Sequence, residues 1–411
     1  MLDTIALTLD QHQFEVLEPD RFSPSARGLV GAPYYPLGAR GHFACVLNPT
    51  KSDFEAGRYF PRLTLAKRKS QTGFALTLRI EFSAPKLIFG NNFDELRSRD
   101  FDLVLDSLHE WLGTLGIRIS DPVLRAARVS SIHYSKNMAL SDYTTCSMVI
   151  GELDLIDLSG RLDLSHTDYR NEGHAIRYHA NSFEVTFYDK LKDLQKSRLS
   201  EKRAVERDNA GQIGLFAQSG AFPKELEILR MEVRLGSRAR IVKLLKRLDI
   251  QVEPTFAALF DQSIAKAVVL HFWGDIRRQL PLASRVKHQR PEDVFAALAI
   301  AARGKTKPGK LLQLLGSTML LGSVGFRGTA ALVSRHSTVR SWQRYKRELK
   351  ALPVLDSGCF SALGHVSEAL AAFEPLRLNK YRVKPIPCNV ESLRAGGPSV
   401  IQATRKRKSR E

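Results

Sequence analysis

The chain has 411 residues, 43% of them hydrophobic, enough for two or three packed cores, because single cores stop growing beyond about 250 to 300 residues. Sixty-two lysines and arginines against 43 aspartates and glutamates give a formal charge of +19, which favours a polyanionic partner such as DNA or RNA, although a solvated basic surface gives the same balance. No run approaches the roughly 20 apolar residues of a membrane span, and MLDTIALTLD is not a basic segment followed by an apolar one, so a cytosolic protein without a membrane partner is expected.

In chain order, alternating runs at 42–48, 74–83, 129–137, 183–190 and 229–235 predict half-buried strands. Between them, 100–116 predicts a helix with Leu103, Leu105, Leu108, Trp111 and Leu112 on one side, and 190–208 a charged amphipathic helix. From about residue 237 the pattern turns helical, at 239–248, 262–280, 291–302 and 310–321. Strands and helices that do not alternate strictly predict an α+β fold with an antiparallel sheet over 1–236, a basic helical accessory domain over 237–400 and a disordered basic tail at 401–411. Cys45, Cys146, Cys359 and Cys388 stand singly, as reduced thiols do.

Period two assigns each strand side chain to a face. Glu81 and Arg79 oppose an apolar set of Phe74, Leu76, Leu78, Ile80 and Phe82. His133 shares a face with Ser131 and Ser135, Tyr188 shares one with Glu184, Thr186 and Lys190, and Glu232 lies between Arg230 and Arg234. If these strands belong to one sheet, Glu81, His133 and Glu232 supply two carboxylates and an imidazole for a divalent cation, Mg²⁺ or Mn²⁺, beside a phenol and an ammonium. Phosphoryl transfer wants that set: the metal neutralises phosphate oxygens and the lysine stabilises charge near the tyrosine. A phenol, with a pKa near 10, also leaves phosphorus more readily than an alkyl alcohol, so its ester is reversible. Solvent faces of ordinary antiparallel strands show the same alternation.

Three segments, RIEFSAPKLIFGNNF, NSFEVTFYDKLKDL and LRMEVRL, with VSSIHYSKN in order between the first two, resemble the gene II/X family of rolling-circle replication initiators of filamentous phages and related plasmids over about the first 240 residues. The resemblance implies a metal-dependent nickase and ligase acting at a viral or plasmid plus-strand origin. It would leave a 5′-phosphotyrosyl bond and a free 3′ hydroxyl for synthesis by a host helicase and polymerase. It places the nucleophile at Tyr188 and a supporting role at Lys190, with Tyr178 of HAIRYHANS as competitor. Glu81 and Glu232 match acidic positions. His133 stands where the phage proteins more often carry aspartate, and the His-hydrophobe-His triplet of many rolling-circle initiators is absent.

Gly304-Lys305-Thr306 lacks the earlier glycine and the strand of a phosphate loop, and His109-Glu110 lacks the second histidine of a zinc protease. Residues 326–349 predict two helices joined by a turn, the second capped by Ser337 or Thr338 and presenting Arg340, Arg344 and Arg347. That is the pattern of a helix-turn-helix and equally of a solvated helix in a bundle. Those arginines, with Arg79, Arg230 and Arg234, are the candidate DNA contacts. A non-catalytic DNA-binding regulator and an RNA-binding protein are the rival readings.

Overall fold

The computed structural model describes residues 1–31, 42–50, 52–53, 59–70, 73–140, 144–156, 168–170, 173–180, 183–198, 222–223, 226–278, 290–302, 306–335, 338, 340, 344, 347 and 362–382. Alternation of apolar and polar side chains builds its strands: β1 (Leu2–Asp10), β2 (Glu15–Val16), β3 (His42–Leu47), β4 (Arg62–Ser70), β5 (Gly73–Ser83), β6 (Ile117–Arg118), β7 (Arg128–Leu140), β8 (Asp168–Arg170), β9 (Ala175–Ala180), β10 (Phe183–Asp189) and β11 (Glu227–Leu235). Nine of them form one antiparallel sheet in the order β3-β4-β5-β1-β7-β11-β10-β9-β8, while β2 and β6 pair separately. The α+β class with an antiparallel sheet is therefore as expected.

One face of the sheet is apolar. Ile5, Leu7, Ile80, Phe82, Ile132, Tyr134, Val185, Phe187, Met231 and Val233 are buried there, each side chain stabilising the fold by about 1.5–3 kcal/mol. Helix Phe101–Thr114 joins this core through Val104, Leu105, Leu108 and Leu112. Leu103, expected on the same side, is exposed, because Val104 takes the inward position. Helix Gln262–Arg277, capped by Asp261, lays Phe272 and Trp273 against Phe183 and Phe187, and the Tyr134 hydroxyl donates to Leu259 O at 2.8 Å.

The change from strands to helices near residue 237 falls inside this one core. Ile241 and Leu244 of helix Arg238–Arg247, Val268 and Val269 of Gln262–Arg277, and Val366 and Leu370 of Ala362–Ala372 all belong to the cluster that contains the sheet. The first two were legible in sequence as helices and Ala362–Ala372 was not, and the surface they cover was not legible for any of them. Helices Pro291–Ala302 and Pro308–Ser334 pack on each other through a separate cluster, Val294, Leu298, Leu311, Leu314 and Leu321. The second turns at Gly325, whose φ of +70° suits glycine and where a Cβ would come within 3.2 Å of Leu155. No helix among the described residues is long and apolar enough to cross a membrane. The expected tail 401–411, Cys359, Cys388, Gly304, Lys305 and most of the second helix of the 326–349 pair lie outside the described residues. Arg340, Arg344 and Arg347 are described and exposed.

The pairing of β1 with β7 ends at Leu2 opposite Tyr134, while β7 continues to Leu140. A segment following helix Ala84–Phe89 closes that edge. Glu95 Oε1 accepts from Asn137 N at 2.7 Å, Glu95 Oε2 accepts from Lys136 Nζ at 2.7 Å and from Leu376 N at 2.8 Å, and the Asn137 amide donates to Phe93 O at 2.8 Å. The Lys136 and Glu95 side chains are only 3% and 2% exposed. Removing one partner of such a pair strands a buried charge. Glu95→Ala is expected to lower stability by about 3–5 kcal/mol, seen as a lower urea midpoint, and adding Lys136→Met should restore part of the loss.

Candidate active site

The polar face of the sheet is assembled by register. Across β10 and β11, Tyr188 stands opposite Arg230, Thr186 opposite Glu232 and Glu184 opposite Arg234. Across β11 and β7, Arg230 faces Asn137, Glu232 faces Ser135 and Arg234 faces His133. Paired residues share a face, so Tyr188, Arg230, Glu232, Arg234 and His133 converge.

The Tyr188 hydroxyl donates to Glu232 Oε2 at 3.2 Å, and Arg230 Nη1 points at the same hydroxyl from 3.5 Å. Glu232 Oε1 accepts from Arg234 Nε at 2.7 Å and lies 3.4 Å from His133 Nδ1. Arg234 continues to Glu184 Oε1 at 3.1 Å, and Arg177 reaches that oxygen at 3.2 Å. The result is a chain of alternating charge centred on the phenol.

Burial raises the Tyr188 pKa above its ordinary value; Arg230 opposes the rise and Glu232 adds to it. Burial also works against ionisation of Glu232, but Arg234 and His133 outweigh it and hold the carboxyl well below the usual range. Glu232 is thus an anionic hydrogen-bond acceptor for the phenol hydroxyl. The Lys190 ammonium, expected beside the phenol, donates instead to Asn92 Oδ1 at 2.5 Å and lies 4.5 Å from the centre of the Phe93 ring. Burial, and then Arg230, push its pKa well below the usual value. Among the described residues the cation at the phenol oxygen is Arg230.

Tyr178 faces the other way. It stands opposite Val185 in the apolar face, its ring meets Phe187 edge-on, and its hydroxyl donates to Leu153 O at 3.1 Å. Glu81 is on the polar face but opposite Ala6 and Arg62, paired with Arg79 at 2.8 Å. The strands β1 and β7 separate it from β11, about 14 Å at the usual strand spacing. Arg79 is exposed, Arg234 is held between two carboxylates, and Arg230 is 1% exposed and meets no solvent-facing surface.

Residues that alternation did not single out complete the face. The β1–β7 register shifts between Leu2 and Thr4, a bulge that turns Asp3 towards Arg230 Nη1, 3.3 Å away. Arg230 Nε donates to Asn137 Oδ1 at 2.7 Å and Nη2 to the Asn92 carbonyl. The signal that could have marked the Gly-Asn-Asn turn is Gly90, which ends helix Ala84–Phe89 in the left-handed region. The bulge had no sequence signal.

A divalent cation needs ligand oxygens free of competing cations. Glu232 is engaged by Arg234, His133 and Tyr188, and Glu81 lies strands away, so the Glu81, His133 and Glu232 set does not fit a metal as built. Among the described residues one group could hold a metal ion: Cys146, Asp189 and Glu227, whose ligand atoms lie within 4.8 Å of one another. It sits on the side of the sheet opposite Tyr188. Both carboxylates already serve helix starts, Asp189 Oδ1 accepting from Leu191 N and Lys192 N and Glu227 Oε2 from Cys146 N. Burial raises the pKa of Cys146 and of Asp189.

In comparisons with known proteins, no family model, no curated protein and no solved structure matches the chain at a significant level.

Because the folded pKa of Glu232 lies below the ordinary 4.5, its ionisation contributes stability that is full above the unfolded value and lost as pH falls through the folded one. Glu232→Gln is expected to lower the urea midpoint at neutral pH and to flatten its decline between about pH 6 and about pH 3; an unchanged acid limb would contradict the assignment.

Proposed function

We propose that the chain is an initiator of rolling-circle DNA replication, a site-specific nickase and ligase whose nucleophile is Tyr188. The observation that carries this reading is the hydroxyl of Tyr188 held on the polar face between anionic Glu232 and the Arg230 guanidinium, while the competing Tyr178 hydroxyl is spent on Leu153 in the core. The Tyr188 oxygen attacks a phosphodiester, an oxygen–phosphorus bond forms, and the bond from phosphorus to the 3′ oxygen breaks. The phenol proton passes to Glu232 and the departing 3′ oxygen takes a proton from water. A 5′-phosphotyrosyl end and a free 3′ hydroxyl result, and the reverse sequence reseals the strand.

The net charge of +19 supports a nucleic-acid partner, and Arg79, Arg340, Arg344 and Arg347, all exposed, are the candidate phosphate contacts. Such binding should weaken steeply with salt. The resemblance of the RIEFSAPKLIFGNNF, NSFEVTFYDKLKDL and LRMEVRL segments to initiators of the gene II/X family supports a plus-strand origin as substrate, in a bacterial host cytosol, with a host helicase and polymerase following. Magnesium or manganese is the cation that the resemblance implies, and none of the steps above passes through it.

Incubation with supercoiled DNA of the chain's own replicon and manganese or magnesium, followed by denaturation, tests the reading. Wild type and Tyr178→Phe should carry a covalently bound nicked strand and Tyr188→Phe none. DNA binding without an adduct in any of the three would mark a non-catalytic regulator, and a preference for RNA an RNA-binding protein.

A further inference from the structure

Resting on that reading of Tyr188, we propose that Arg230 is the group that aims the tyrosine oxygen and stabilises the negative charge on it during nicking and rejoining, and that Asp3, Asn92 and Asn137 form its cradle. Three features of the structure point there. First, Arg230 is the largest of the fully buried side chains among the described residues, so it cannot serve as a surface contact to duplex phosphates, the role its place in an alternating strand suggested. Second, every arm of its guanidinium is assigned: Nε to Asn137, Nη2 to the Asn92 carbonyl, and Nη1 divided between Asp3 Oδ1 at 3.3 Å and Tyr188 at 3.5 Å. Third, the β1 bulge delivers the buried Asp3 carboxylate to this arginine as an ion pair, its Oδ1 making no hydrogen bond besides.

Burying a guanidinium for structure alone is a poor bargain, since apolar side chains of similar volume usually stabilise as well or better. What an apolar group cannot do is respond to charge. In rejoining, the 3′ oxygen bonds to phosphorus while the electron pair of the phosphorus–tyrosine bond stays on the tyrosine oxygen, until Glu232 returns its proton. A fixed donor aimed at that oxygen gains strength as the charge appears, in a site where water does not compete. Nicking passes through the same transition state, so both directions depend on it.

The experiment compares Arg230→Gln, Arg230→Lys and Asn137→Ala with wild type in single-turnover adduct formation at saturating origin DNA, with DNA affinity and urea midpoint measured on the same preparations. Arg230→Gln is expected to slow adduct formation about 10²–10³-fold, the range for loss of one such donor. Its DNA affinity should stay within about twofold, because the side chain is buried away from the duplex. Arg230→Lys, which keeps the charge without the fork, should recover part of the rate, and Asn137→Ala, which leaves the guanidinium but frees its Nε, should lose about tenfold. Should Arg230→Gln not fold, the other two decide. A folded Arg230→Gln with unaltered rate at saturation, or one that loses DNA affinity instead of rate, overturns the assignment of Arg230 while leaving Tyr188 in place. An adduct absent from wild type overturns both readings together.

Discussion

The open edge of β7 beyond Tyr134 is the constraint on which the rest of the polar face depends. Its backbone groups must find partners once they leave water: Met1 takes both groups of Ser135, Glu95 takes Asn137 N, and the Lys136 ammonium bridges the Asn137 carbonyl and the same carboxylate. Closing the edge in this way fixes the 91–95 turn against the sheet. That turn then presents Asn92 to Arg230 and to Lys190, and Phe93 to Asn137. An interaction made for the integrity of the sheet thereby sets the position of the cation next to Tyr188, and site geometry gains the rigidity of a strand.

Along the face, charge alternates from Asp3 through Arg230, Glu232, Arg234 and Glu184 to Arg177. Isolated buried charges are costly, and a ladder of opposite charges, in which Arg230 and Glu232 meet through the Tyr188 hydroxyl, offsets much of that cost. The phenol sits inside the ladder as its one neutral member. Burial keeps it protonated at rest, while the anionic carboxylate and the guanidinium stand where its proton and its charge would go. The same arrangement leaves little room for a divalent cation on Glu232. The thiol and two carboxylates at Cys146, Asp189 and Glu227 answer instead to helix capping on the far side of the sheet.

Helices Arg238–Arg247, Gln262–Arg277 and Ala362–Ala372 cover the apolar face and complete the core that begins at β1, while Pro291–Ala302 and Pro308–Ser334 pack on each other through their own cluster. Trp273 and Phe272 press on the strand that carries Tyr188, packing at its back the residues Phe183 and Phe187. The aromatic contacts on one side and the charge ladder on the other hold β10 between them.

The sequence by itself determined which side chains share a face within each strand: Tyr188 with Glu184, Glu232 with Arg230 and Arg234, His133 with Ser131. It also showed the helices near Phe101–Thr114, Arg238–Arg247, Gln262–Arg277 and Pro291–Ala302 and the α+β class, since periods of two and 3.6 are local properties of the chain, but not the helices Ala84–Phe89, Cys146–Asp154 and Ala362–Ala372. Strand β1 and its Asp3 bulge were not read from the sequence. Tertiary structure alone decided that Tyr178 and Tyr188 point to opposite faces, that two strands separate Glu81 from Glu232, that Lys190 turns away to Asn92, and that Arg230 is interior. These depend on strand order, register and bulges among segments tens to hundreds of residues apart, and loop-closure entropy varies too slowly with chain length to favour one such pairing over another.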